Sequence, residues 1–485
     1  MLDKNTREKY TVVIGLEVHA QLLTKSKIFS SDANQYGASP NTNISAITLG
    51  HPGTLPLLNK QVIEFAIRMG LACGSEITRY NIFDRKNYFY PDLPKGYQIM
   101  QDKTPICVGG GIYIRDEEEE KQIKLHHIHL EEDAGKSIHL DNEPETLVDL
   151  NRAGVPLIEI VTDPDLRSSD EAYAMLTEIR KLVRYLDICD GNMEEGSMRC
   201  DANVSIMPKG ASEYGKKVEV KNMNSIRNVQ RAIDHEVERQ ILLLEAGEEV
   251  ISETRLFNAD NGKTFSMRTK EELNDYRYFP EPDLSPVVVS EAWLEEIKES
   301  MPALPHELWH KFVDTYELPP YNAEVLTDTK AMARYFEEVC CHTRHYKGAS
   351  NWMMGPVRSY LNDASHSIEK MPVKAESLAE LVEIVAADKV SFAIASQKIF
   401  PYMLEDSSGK SPLKIAEEMN LLHESSSDQI QPLVEEVLAD FPQKVEQYRK
   451  GKKGLLGMFM GEVMKRSQGK ANPKVANALL RKELD

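Results

Sequence analysis

Cysteine is scarce in this chain. It has six among 485 residues (Cys73, Cys107, Cys189, Cys200, Cys340 and Cys341), and no two form a C-x-x-C pair. That excludes a disulfide-stapled secreted scaffold and the usual zinc spacings, and predicts reduced, mostly buried thiols. The Cys340-Cys341-His342 run does not change this, because adjacent side chains rarely converge on one ion, so no zinc is expected. Long apolar runs are also missing: no stretch approaches the roughly 18 residues of a membrane span. The start, MLDKNTREKY, has no apolar segment behind a basic end, so the expectation is a cytoplasmic protein with no membrane partner. Internal repeats and low-complexity tracts are absent, apart from an acidic run at Asp116–Glu120 that reads as a solvated loop. Standard nucleotide motifs fail as well. Gly135-Lys-Ser137 and Gly409-Lys-Ser411 end like a P-loop, but Leu130 and Leu404 stand where the earlier glycine belongs. Gly109–Gly111 does not extend to G-x-G-x-x-G, because Ile114 fills the last position.

Basic residues are in deficit, 58 Lys and Arg against 77 Asp and Glu, for a net charge of −19. Such a balance normally disfavours nucleic acid. The deficit is uneven, however. From Tyr448 onward ten basic residues face three acidic ones, a net of +7 that leaves −26 on the rest. Lys452, Lys453, Lys465 and Arg466 there flank an apolar Leu455–Met460 stretch.

What remains is a globular composition, 41% hydrophobic and 28% charged. At ~100–200 residues per domain, the length suggests roughly three domains. Residues up to about 290 alternate short β-like segments with Gly, Pro and Asn turns. Two helices stand out among them. Residues 169–186 follow a Ser168…Glu171 capping box, and residues 226–246 run up to Gly247. After Pro280–Pro286 the texture becomes helical, and a polar Asp406–Pro412 segment precedes a last helical part. The expected class is α+β. An antiparallel β-sheet cradle with flanking helices (1–292) would be followed by an all-helical domain (293–405) and a small helical tail domain (406–485).

Strand periodicity identifies polar faces. In residues 11–22, Val12, Ile14, Leu16, Val18, Ala20 and Leu22 share one side, which leaves Glu17, His19 and Gln21 on the other. Alternate side chains lie about 6–7 Å apart along a strand, close enough for a carboxylate and an imidazole to share a divalent ion. Ordinary polar residues on a half-exposed strand give the same spacing. In residues 199–206, Arg199, Asp201, Asn203 and Ser205 oppose Cys200, Ala202, Val204 and Ile206. Lys217, Glu219 and Lys221 oppose Val218 and Val220, and the two segments read as a hairpin. Glu159 stands among apolar residues, where a carboxylate is costly unless paired or metal-bound. In residues 126–133 three histidines precede Glu131, Glu132 and Asp133. Oxygen ligands suit Mg²⁺ and clustered histidines suit a transition metal. Which face is inward there stays open, since Ile128/Leu130 compete with Leu125/His127/His129. Several strands with one apolar and one functionalised face suggest a sheet whose open side is a cradle.

Taken together, several strings resemble one family. They are Gly15-Leu-Glu-Val-His19, Tyr90-Pro-Asp-Leu-Pro-Lys-Gly-Tyr-Gln98, His129-Leu-Glu-Glu-Asp-Ala-Gly-Lys136 and Asn151-Arg-Ala-Gly-Val-Pro-Leu-Ile-Glu-Ile160. Further on stand Glu194-Glu-Gly-Ser-Met-Arg-Cys-Asp-Ala-Asn203, Glu219-Val-Lys-Asn-Met-Asn-Ser225 and Asp275-Tyr-Arg-Tyr-Phe-Pro-Glu-Pro-Asp283. The likeness continues to Gly454-Leu-Leu-Gly-Met-Phe-Met-Gly-Glu-Val-Met464. It is to the B-subunit family of aspartyl/glutamyl-tRNA amidotransferases. Ala20, Ala153 and Ala202 depart from the family pattern without removing a proposed ligand.

The resemblance implies a carbon–nitrogen ligase acting as one subunit of a complex. ATP with Mg²⁺ would phosphorylate the side-chain carboxylate of Glu on tRNA(Gln) or Asp on tRNA(Asn). Ammonia, released from glutamine by an amidase A subunit, would reach this chain through a channel and displace the phosphate. A small C subunit is the other implied partner. By the same resemblance Glu17, His19, Glu132 and Glu159 are the metal positions, with Glu131 as a close substitute. Lys86, Lys95 and Lys221 are candidate phosphate partners, and Asn203 and Asn222 orienting amides. Arg199 or Arg227 would contact the aminoacyl end, and Tyr88 and Tyr90 would stack the terminal adenosine. The basic tail, with Lys452, Lys453, Lys465 and Arg466, resembles the family's tRNA-binding tail. Two rival readings stand beside this one: a non-catalytic tRNA-binding scaffold, and a metal-dependent hydrolase built on His126–His129.

Overall fold

A computed structural model describes residues 3–115, 119–140, 145–269, 276–406, 408–423, 427–467 and 469–484. Asp116–Glu118 of the acidic run, and Asp275 at the head of one family-like string, lie outside them. The chain divides into two units, 1–305 and 306–485.

The first unit is built on one large sheet. Its main strands are β1 (Tyr10–Gln21), β2 (Asp84–Asn87), β3 (Tyr97–Met100), β4 (Glu120–Glu132) and β5 (Pro156–Thr162). Then come β6 (Met198–Pro208), β7 (Val218–Met223), β8 (Glu253–Asn258), β9 (Lys263–Thr269) and β10 (Arg277–Pro280). They lie in the order β9–β8–β7–β6–β1–β5–β4–β3–β2–β10. Every junction on this path is antiparallel except β7–β8. A parallel join needs a crossover, and the helix α3 (Ile226–Glu245) supplies it.

Helices α1 (Lys60–Ala72), α2 (Ser169–Tyr185) and α3 cover one face of the sheet. Ile14, Leu16, Val18 and Ala20 of β1 are buried in one core with Ile63, Met175, Ile179, Val229 and Ile233. Each large side chain buried there stabilises by about 1.5–3 kcal/mol, and a one-residue slip would expose the whole row. The register is therefore enforced by the core. The Ser168 cap forms as expected: its hydroxyl accepts from Glu171 N at 3.0 Å, while the Glu171 carboxylate accepts from Arg167 N at 2.8 Å.

The helix Glu291–Glu299 sends Leu294 and Ile297 into this same core, and the first unit runs to Pro305. The second unit is helical. Near its end Ile430, Val434, Phe459, Val463 and Leu480 form a local core, and Phe459 brings the apolar 455–460 stretch into it. Of the six cysteines, all free, only Cys341 is exposed. Among the described residues, no helix is long and apolar enough to cross a membrane.

A candidate metal and phosphate centre on the open sheet face

The open face of β1 carries Glu17, His19 and Gln21, and the register brings partners to each from strands far away in sequence. His19 pairs with Arg199 of β6 on one side and with Glu159 of β5 on the other, and Glu159 pairs in turn with His129 of β4. Glu17 faces Asp201, and Asn203 faces Glu219 of β7. The predicted β6–β7 hairpin pairing and its polar face are therefore present.

A β-bulge settles the orientation of residues 126–133. Val161 pairs with His127 but Thr162 pairs with Leu125, so β4 has one residue extra at His126. Ile123 and Leu125 point into the core before the bulge, and Ile128 and Leu130 do so after it. Ile128 and Leu130 are thus inward together with Leu125 of the competing set, while His127, His129 and Glu131 stand on the open face.

Two clusters result. In the first, His19 Nε2 lies 3.2 Å from Glu159 and 3.5 Å from Glu131, and His129 Nε2 lies 3.5 and 3.8 Å from the same two carboxylates. His129 Nδ1 is 3.0 Å from His127 Nε2. Burial pushes the His19 pKa down, but its bond to Glu159 and the charges of Glu131 and Glu159 outweigh this and raise it to about 9. Glu159 is driven the opposite way: burial would raise it, yet His19, His129 and Lys86 hold it well below the usual carboxylate range. Burial and its two neighbouring histidines pull His127 down to about 4, so it stays neutral.

In the second cluster, Glu17, Asp201 and Glu219 bring carboxylate oxygens within 4.8 Å of one another. Asn203 Nδ2 donates to Glu17 at 2.9 Å. Lys221 Nζ bonds Asp201 at 2.5 Å and Glu219 at 2.9 Å. Burial and the neighbouring Glu159, Glu219 and Asp201 raise the Glu17 pKa, while the Asn203 bond resists.

Other expected residues lie elsewhere. Glu132 has the opposite parity from Glu131. It bonds Lys95 Nζ at 2.5 and 2.7 Å and accepts from Ile99 N at 2.8 Å. Together they line a cavity of about 70 Å³ beside Lys27 and Gly50. Gly50 is required there: its φ is +66, and a Cβ would come 2.7 Å from Lys95 Cγ. The structure thus brings Glu131, and not Glu132, to His19 and Glu159. Asn222 occupies a bulge in β7 with φ 69, and its amide donates to Phe257 O, so it faces away from its neighbour Lys221.

Lys86 sits over the Tyr276 ring at 4.8 Å, and Tyr88 packs on Tyr276 at 5.6 Å. Tyr90 is exposed, beside a Phe89 that is 92% exposed. Arg199 donates to Asp133 at 2.7 Å, and Gln21 bonds the same carboxylate. Arg227 is exposed in the first turn of α3. In the tail Lys452 and Lys465 are exposed, Lys453 lies over Tyr448, and Arg466 is paired with Asp440 and Glu436. The alternation had placed Asp201 and Glu219 on the open face, but nothing in a single sequence showed that they flank Glu17. His129 and Asp133 stood in the 126–133 run already read as a ligand candidate, but which of its residues face the open side was not legible.

The residues fit a hard divalent cation. His19, Glu131 and Glu159 each bring one donor atom within 4.8 Å of the others, and Glu17, Asp201 and Glu219 add three more oxygens. His129 Nε2 is buried with no hydrogen-bond partner among the described residues and lies near Glu131 and Glu159. A cation seated there would displace the proton of His19, the ordinary coupling of metal binding to proton release.

Comparison with known proteins agrees with this architecture. Residues 12–295 match the model of the GatB/GatE catalytic domain, and residues 334–484 that of the GatB domain. The chain is 50% identical over 479 residues to the B subunit of the aspartyl/glutamyl-tRNA(Asn/Gln) amidotransferase of Alkalilimnicola ehrlichii, covering 98% of this chain and 100% of that one. It is 49% identical over 480 residues to the protein of the same name from Geotalea uraniireducens, covering 98% and 100% of the two chains. With both halves matched and half the residues identical from end to end, the chain belongs to the B-subunit family of the aspartyl/glutamyl-tRNA amidotransferases.

Proposed function

We propose that the open face of the first unit uses ATP to phosphorylate the side-chain carboxylate of Glu on tRNA(Gln), Asp on tRNA(Asn), or both. Ammonia supplied by an amidase subunit then displaces the phosphate to give the amide, with a small third subunit completing the complex. The observation that carries this reading is the convergence of two carboxylate clusters from β1, β4, β5, β6 and β7 on one half-buried polar face. Phosphoryl transfer asks the protein for position and charge rather than for covalent chemistry.

Glu131, Glu159 and His19, with Glu17, Asp201 and Glu219 alongside, would hold Mg²⁺, which when bound neutralises charge spread over phosphate oxygens. The chain's own residues do the rest. Lys221 offsets Asp201 and Glu219 so that three carboxylates can stand together. Asn203 orients Glu17, and the Lys86 charge helps keep Glu159 ionised. Arg199, anchored by Asp133, brings a cation to the row of His19, where it can meet a carboxylate or phosphate of the aminoacyl end. We place the tRNA-holding role in the basic tail, residues 406–485.

In the complex reconstituted with the A and C subunits, Glu17→Gln should reduce ATP-dependent amide formation on misacylated tRNA by about 10²–10³-fold. Its tRNA affinity should stay within about twofold. Near-normal amidation would refute the role of Glu17. A non-catalytic scaffold would show no ATP turnover linked to misacylated tRNA, and a hydrolase would need no tRNA. Assaying Glu-tRNA(Gln) and Asp-tRNA(Asn) side by side identifies the substrate.

A further inference from the structure

Among the described residues of the second unit, three helical stretches contain a π-turn: Lys311–Thr315, Met353–Val357 and Ala395–Ile399. A π-turn inserts a residue into the helix at the cost of hydrogen-bond geometry, and such turns are frequent at functional sites. The first ends in the wall of a cleft of about 750 Å³, within the range of ligand pockets, and residues just before the other two also line it. Thr315 ends the first turn and Tyr316 follows it. Trp352 immediately precedes the second, and Phe392 stands just before the third.

The aromatic rings at this cleft form a column. Phe312 and Tyr316 lie 5.6 Å apart with planes 15° from parallel, and Tyr316 and Tyr346 lie 4.1 Å apart at 21°. Phe312 closes the inner end, fully buried and edge-on to Phe336. Tyr346 is the outer member, half-buried in the cleft wall. A stack with one closed end and one end in a cleft is a platform on which another flat ring can continue.

The adjacent charge has the sign that RNA requires. Arg344 and Lys347 line the cleft, are exposed, and have no ion-pair or hydrogen-bond partner among the described residues. His345 between them is 3.7 Å from Glu383. The acidic lining residue, Glu317, sits in the left-handed conformation at φ 55 and offers an acceptor to an exocyclic amino group. Free cations beside an aromatic platform bind a base by its face and its phosphate by charge.

We infer that this cleft takes one unstacked nucleobase of the tRNA, laid on Tyr346, with the adjoining phosphate held by Arg344 and Lys347. The inference rests on the reading of the chain as the tRNA-dependent subunit, and adds a point of contact in a different structural unit from the cradle. Stacking is tolerant of base identity, so the expected partner is an unpaired nucleotide rather than a helical segment.

Filter binding of tRNA to the complete amidotransferase complex tests it. Tyr346→Ala should weaken binding by about tenfold, the loss of one stacked base, and Tyr346→Phe should restore it by keeping the ring. Arg344→Ala and Lys347→Ala should each lower the slope of log affinity against log salt, and together by about 0.7–0.9, the share of one phosphate. These two exposed substitutions also decide the matter if Tyr346→Ala fails to fold. Tyr346→Ala binding within about twofold of the native complex, or unchanged salt slopes in the Arg344 and Lys347 variants, would overturn the inference. If the native complex itself forms no amide on misacylated tRNA, the functional reading fails instead. If it does and Tyr346→Ala binds normally, only the cleft assignment falls.

Discussion

Lys27 is a cation with no exposed surface, whose ammonium donates to the carbonyls of Asn43 at 2.7 Å and Leu150 at 3.4 Å. Burial pulls its pKa from 10.5 down to about 8, against the opposing charges of Asp32, Glu132 and Asp149. Between those two values the unfolded chain binds the proton and the folded chain does not, so stability should rise with pH across that window. Below pH 8 both states are charged and the full cost of burying the ammonium remains. Measured against Lys27→Met by urea unfolding at a series of pH values, the native chain should gain up to about 3 kcal/mol between pH 8 and 10.5 and level off on either side. A pH-independent difference would show that the amine is not desolvated. At the same scale, His19 and Glu159 hold each other charged, whereas burial and the charges of Glu159, Glu219 and Asp201 raise the Glu17 pKa, which makes its replacement informative.

Elements with unbroken alternation were legible. β1 and β6 point their even-numbered residues into the core, and that parity alone put Glu17, His19, Asp201 and Asn203 on the open face. β4 was not legible, because the extra residue at His126 changes parity partway along, so Leu125 is buried as well as Ile128 and Leu130 while His127 and His129 face the other way. Helix α1 was missed although its pattern is regular. Val62, Ile63, Phe65, Ala66, Ile67 and Met69 are buried while Lys60, Gln61, Glu64 and Arg68 recur on the other side at helical spacing, a pattern that was present but short and set among turn-rich sequence. The bulge yields an element-scale expectation. His126→Ala changes an exposed side chain and should leave the first unit folded. Deleting His126 shifts Ile123 and Leu125 out of the core, and should abolish the cooperative unfolding transition seen by circular dichroism. A deletion variant that unfolds like the native chain would mean the β4 register is not set by its core residues.

For the whole molecule, the net charge of −19 conceals opposite tendencies: −26 on the body and +7 from Tyr448 onward. The carboxylates gathered on the open face are part of the first figure, so net charge alone does not describe the surface offered to RNA. Arg466 is partly neutralised by Asp440 and Glu436, whereas Lys452 and Lys465 stand exposed. Removing residues 408–485 should weaken tRNA binding and flatten its salt dependence, by about 0.7–0.9 in slope for each phosphate the tail would otherwise neutralise. Binding isotherms at several salt concentrations report both quantities, and an unchanged slope would leave the tail without a phosphate-holding role.

The parity of the regular strands, the uneven charge, and strings long enough to identify the family could all be read along the chain. These are local properties, fixed by neighbours in sequence. Which carboxylates meet is a matter of tertiary structure. Glu131 and Glu132 are adjacent in sequence, yet one joins His19 and Glu159 on the open face while the other is bound to Lys95 on the opposite side. His19, Glu131 and Glu159 come from three strands whose register is set by core residues on the far face of the sheet. A meeting of side chains fixed in that way has no signature in the spacing of the residues that make it.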